Sequence, residues 1–143
     1  ALPHVAGLDG LREALGDFRS VVEPGALLVL HLLNHTKLLT TRVRSIPPKV
    51  RDTETGTRVF LRVIDYPEHA DHIDFSFLTL TRAPDGEWTL DARTSPHTAL
   101  PHTLLAEELA AAGFGSIEFL GDHEGRELDA AADESVIVVA RAL

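Results

Sequence analysis

The chain has 143 residues, 44% of them hydrophobic, and no cysteine. That is enough apolar material for one domain with a core, and the missing thiols exclude disulfides, thiolate metal sites and cysteine nucleophiles. The formal charge of −9 comes from Asp and Glu scattered along the chain, which disfavours binding a phosphate backbone through charge alone, so nucleic acid is not an expected partner.

Leu8, Leu11, Leu15, Phe18 and Val22 recur at helical spacing, with Asp9 placed to cap the start and Glu23-Pro24-Gly25 to end the run. Residues 26–33 form an almost unbroken apolar run, as expected of a central strand covered on both faces of a mostly parallel sheet. The run falls far short of the roughly 20 residues that cross a bilayer. No basic segment followed by a long apolar core marks a secretory leader, so a cytoplasmic protein without membrane contact is the expectation. Residues 34–50 change character, carrying His35, Lys37, Arg42, Arg44, Lys49 and the pair Pro47-Pro48. They predict a short helix over 36–41 and then loop.

Residues 57–65 and 72–81 alternate as strands do, with Val59, Leu61 and Val63 on one face of the first and Ile73, Phe75 and Phe77 on one face of the second. Ala83-Pro84-Asp85-Gly86 is turn chemistry, and residues 87–93 alternate again. The middle third, about 57–93, therefore reads as an antiparallel meander. Helical spacing returns with Leu104, Leu105, Leu109 and Ala112, closed by Gly113 as a left-handed cap. Residues 117–120 and 135–140 read as two final buried strands. The order is α/β at the ends and antiparallel in the middle, in a single domain over 1–143.

Eight histidines invite a metal reading, and the densest cluster is Glu68-His69-Ala70-Asp71-His72-Ile73-Asp74. It sits at a loop-to-strand junction with no helical spacing to align ligands, and no metal site is expected. His97 and His102 flank a second loop under the same limitation. No Gly-x-Ser-x-Gly elbow and no glycine-rich phosphate loop occurs, which leaves hydrolase and ordinary nucleotide-cradle readings without support.

Several short motifs recur in a common order: Leu2-Pro3-His4, then Glu23-Pro24-Gly25 and the strand ending in Leu33-Asn34-His35, then Ser95-Pro96-His97. Ala111-Ala112-Gly113-Phe114, Leu120-Gly121-Asp122 and the closing segment 135–141 follow. Together they resemble the glycine/sarcosine N-methyltransferase-like branch of the class I S-adenosylmethionine-dependent methyltransferases. The resemblance implies the C-terminal half of a doubly wound, Rossmann-like methyltransferase sheet with an inserted antiparallel β-meander, the cofactor-binding first half lying upstream.

It further implies S-adenosylmethionine as the cofactor of the complete enzyme, with Leu2 and His4 on the cofactor side and Asn34, His35, Phe75 and His97 on the substrate side. Two departures bear on the substrate. Where glycine-methylating members hold the amino-acid carboxylate with an arginine and a tyrosine, this sequence has Leu33 and Phe75, so a charge-assisted carboxylate clamp is absent. The implied substrate is a small molecule other than glycine, and the implied partners are the missing N-terminal half or another copy of the chain. A chain inactive by itself is the expectation. A non-catalytic α+β domain that binds a small ligand or a protein is the competing reading.

Overall fold

The computed structural model describes residues 2–143, which form two compact units, one built from residues up to 42 and from 98 onward, the other from Val43–His97. In the first unit a short 3₁₀ turn, Leu2–His4, precedes helix α1 (Gly7–Val21). Asp9 does not cap this helix. It lies inside the first turn, fully exposed, with its carboxylate 3.6 Å from Arg12 Nη1, because the chain already turns helical after Ala6.

Strands β1 (Leu27–Leu33), β6 (Phe114–Leu120) and β7 (Ser135–Ala142) form a sheet of order β1-β7-β6, and β7 runs antiparallel to both neighbours. Helix α3 (His102–Ala111) supplies Leu105 and Leu109 to the core, where they meet Leu11 and Leu15 of α1 and Val136, Val138, Ala140 and Ala142 of β7. Gly113 closes α3 at φ 90°, a conformation a side chain would strain.

The strand expected at the centre of the sheet is instead at an edge of the described one. Along β1, Leu28, Leu30 and Leu32 face the core, whereas Leu27 and Val29 are 56% and 59% exposed. The alternation of the pleat turns a continuous apolar run into one covered and one open face. Helix α2 (His35–Thr41) follows directly and ends at Arg42 in the left-handed region, its backbone N–H bonded to the Leu38 carbonyl.

The second unit is a four-stranded sheet of order β2-β3-β4-β5, with β2 (Ser45–Thr53), β3 (Gly56–Asp65), β4 (His72–Arg82) and β5 (Trp88–Thr98). Both β2–β3 and β3–β4 are antiparallel. Strand structure begins at Ser45, in the stretch the sequence marks as loop. A register shift between Ile46 and Lys49 sets Pro47 and Pro48 outside the ladder on an edge strand, where their missing N–H groups cost no sheet bond. Gly56, at φ 126°, closes the tight β2–β3 turn. A Cβ there would come within 2.0 Å of the Arg82 carbonyl oxygen.

Candidate functional site

In the first unit the chain leaves β1 at Leu33 and enters α2 through Asn34. The Asn34 side-chain oxygen accepts from the Lys37 backbone N–H at 3.2 Å, which caps the helix. Its amide donates to the carbonyls of Ala130 and Asp133, both at 2.9 Å, so both amide protons are held by the loop before β7. His35, 1% exposed, accepts the Leu100 backbone N–H on Nδ1 at 2.8 Å. In the neutral ring that acceptor role places the proton on Nε2.

Leu2 is buried in the core cluster and His4 is exposed at the end of the 3₁₀ turn. Thr98 anchors this N-terminal segment: its hydroxyl donates to the Val5 carbonyl at 2.7 Å and accepts the Gly7 N–H at 3.1 Å. The loop that holds Asn34 is itself braced by charge. Arg126 bonds Asp133 at 2.8 Å and Asp122 at 3.1 Å. The guanidinium of Arg126 lowers the Asp133 carboxyl, with help from the Asp129 N–H, and the backbone N–H of Arg126 is the main group that lowers Asp122. Between α1 and α3, Arg12 forms a two-pronged bond to Glu108 at 2.8 and 2.9 Å and lowers the Glu108 carboxyl against the opposing effect of burial.

A cleft of about 460 Å³ opens beside this framework, lined by His102, Glu118, Phe119, Glu127 and Leu128 among others, a volume within the range of small-ligand sites. The His102 Nδ1 lies 2.8 Å from the Thr36 hydroxyl, and its ring meets Phe119 edge-on at 5.5 Å. Among the positions singled out from the sequence, His102 lines this cleft, together with Leu120 of the Leu120-Gly121-Asp122 motif and the rest of strand residues 117–120. The Thr36–His102 contact joins residues 66 positions apart, so no local motif announces it.

In the second unit Phe75 and His97 stack at 4.4 Å between ring centroids, and Phe77 extends the file at 6.3 Å from Phe75. Phe75 is 1% and His97 6% exposed. The structure thus unites Phe75 with His97 in one unit and Asn34 with His35 in the other. The histidine-rich loop gathers only a loose set, with His72 3.6 Å from Asp71 and 3.7 Å from Asp74, and among the described residues no three His, Asp or Glu side chains converge as metal ligands would. No helix among them is long and apolar enough to cross a membrane.

No protein-family profile and no curated protein matches the sequence. Solved structures do match by fold. The CcbJ methyltransferase of Streptomyces caelestis superposes with a TM-score of 0.75 at 19% identity, over 99% of this chain and 57% of that one. The fold is that of a Rossmann-like methyltransferase. The S-adenosylmethionine-bound amino pentose methyltransferase CalS10 of Micromonospora echinaspora gives 0.69 at 13% identity, over all of this chain and 55% of that one. The sugar N-methyltransferase KedS8 of a Streptoalloteichus species gives 0.67 at 18%, over 99% and 53%. The chain therefore spans little more than half the length of the methyltransferases it resembles.

Proposed function

We propose that the chain is the acceptor-binding half of an S-adenosylmethionine-dependent methyltransferase that acts on a small molecule other than glycine. The observation that carries this reading is the match of nearly the whole chain to about 55% of several methyltransferases. Two of those proteins are described as acting on amino sugars or sugar nitrogen, which makes an amine on a sugar-sized molecule the favoured acceptor.

The fit of these residues to the cofactor is partial. Leu2 is committed to the core, leaving His4 as the exposed member of the pair, and no glycine-rich turn leads into a helix to receive a nucleotide. In this reading the first half of the enzyme, or another copy of the chain, holds most of S-adenosylmethionine, whose chemical contribution is a methyl group on a sulfonium. The residues of this chain serve the acceptor. In the second unit the buried Phe75–His97 stack is the element this reading assigns to the acceptor. Catalysis of this kind rests on alignment and exclusion of water more than on covalent participation.

By the resemblance drawn from the sequence, Leu33 and Phe75 stand where glycine-methylating members carry a carboxylate-binding arginine and tyrosine. Each missing charge-assisted bond is worth about 1.5–3 kcal/mol, enough to disfavour glycine by one or more orders of magnitude. In the complete enzyme, Leu33→Arg combined with Phe75→Tyr should raise turnover of glycine or sarcosine relative to the amino-sugar acceptor. No gain in a variant that circular dichroism shows to be folded would place the acceptor pocket elsewhere.

A further inference from the structure

The register of the second unit's sheet collects charge that the sequence disperses. Lys49 stands opposite Phe60 and Arg51 opposite Arg58, while Arg62 stands opposite Phe77. Directly opposed residues share a face, as do alternate residues of one strand. Lys49, Arg51, Arg58, Phe60, Arg62 and Phe77 therefore project from one side. Four cations of a chain with net charge −9 are concentrated there, and all four are exposed.

Among the described residues none of these four takes part in an ion pair. Arg62 instead lies over the Phe77 ring at 5.6 Å. Like charges placed directly opposite each other on a sheet, as Arg51 and Arg58 are, repel and destabilise the pairing. The same face exposes Phe60 by 38% and Phe77 by 36%, and a cleft of about 330 Å³ is lined there by Lys49, Arg51, Phe60, Arg62 and Phe77, with Arg58 next to it, opposite Arg51. Cations without carboxylate partners, beside the exposed Phe60 ring in a cleft of ligand size, complement an anion joined to a flat ring.

We infer that this face of the inserted sheet is a binding site for a small molecule carrying two or more phosphoryl groups on a flat ring, its phosphates held by Lys49, Arg51 and Arg58 and its ring set against Phe60. Arg58 and Arg62 stand four residues apart on one strand, a span of about 13 Å, so a single phosphate would leave part of the cationic row unanswered. The site uses binding residues only and does not depend on methyl transfer.

Calorimetry on the whole chain at low salt, with adenosine diphosphate, inorganic pyrophosphate and adenosine as probes, tests the site. Adenosine diphosphate should bind most tightly, pyrophosphate less tightly and adenosine least, with affinity falling as salt rises. The double variant Arg51→Gln, Arg58→Gln should bind the diphosphate about tenfold more weakly or worse, a loss of about 1.4 kcal/mol. It should also melt at a higher temperature than the parent without ligand, since a repulsion is gone, and this opposite pair of signs separates a binding defect from misfolding. Phe60→Ala should weaken adenosine diphosphate while leaving pyrophosphate unchanged. No binding of the diphosphate at millimolar concentration would overturn the proposal, as would equal affinity in the folded double variant. Pyrophosphate binding as tightly as the diphosphate would overturn the role of the Phe60 ring.

Discussion

Asn34 shows how one side chain can fasten a helix start to a distant loop. It caps α2 and bonds two carbonyls of the loop that Arg126 braces. Removing a cap costs about 1 kcal/mol and each unmet hydrogen bond about as much, so Asn34→Ala should destabilise the chain by about 2 kcal/mol or more, measured by urea unfolding. The sequence marks Asn34 as a strand-end residue with a substrate role, yet its carbonyl partners lie 96 and 99 positions away, and no local pattern reveals them. The acid response belongs to this scale too. Glu108, Asp122 and Asp133 are held below their ordinary carboxyl values in the folded chain. Their contribution to stability is therefore present above the unfolded value of about 4 and is lost as pH falls through that value toward the lowered folded ones. Melting temperature should drop across this acid range, and Arg126→Gln should flatten the drop; an unchanged acid profile in that variant would contradict the role given to Arg126.

At the scale of elements, α1 and α3 were legible because Leu11 and Leu15, and again Leu105 and Leu109, repeat at the period of a helix face. Truncating either buried pair should be costly, about 2–5 kcal/mol for Leu105→Ala. Strand β2 was hidden by Pro47 and Pro48, residues that argue against a central strand but are tolerated at a bulged edge. Strand β1 was recognised as a strand and expected at the sheet's centre, whereas in the described sheet it stands at an edge, because an apolar run does not say which of its faces the same chain will cover. Its open face, Leu27 and Val29, is the natural seat for the partner proposed above, whether the first half of the enzyme or a second copy. Exposed apolar strands at a sheet edge promote association. The isolated chain should accordingly self-associate in light scattering, and Val29→Lys should shift it toward monomer; a parent chain that stays monomeric at high concentration would count against an open edge.

For the whole molecule, the order of motifs pointed to the Rossmann-like methyltransferase fold that the structural matches bear out, even though no match exceeds 19% identity among the three compared. Fold was legible because helix periods, strand alternation and the Gly113 cap are local signals. The cationic face of the inserted sheet was not, since it exists only once the β2–β3 register brings Arg51 opposite Arg58. The isolated chain, lacking a glycine-rich nucleotide turn, should bind S-adenosylmethionine weakly or not at all by calorimetry, and micromolar affinity would contradict the division of labour proposed here. The most direct measurement is transfer of labelled methyl from S-adenosylmethionine to an amino-sugar acceptor by the native polypeptide that carries this sequence, purified from its source. The account predicts label in the acceptor's amine, from a polypeptide or complex about twice the length of this chain. Absence of both donor binding and transfer to any amine in that native preparation would contradict it.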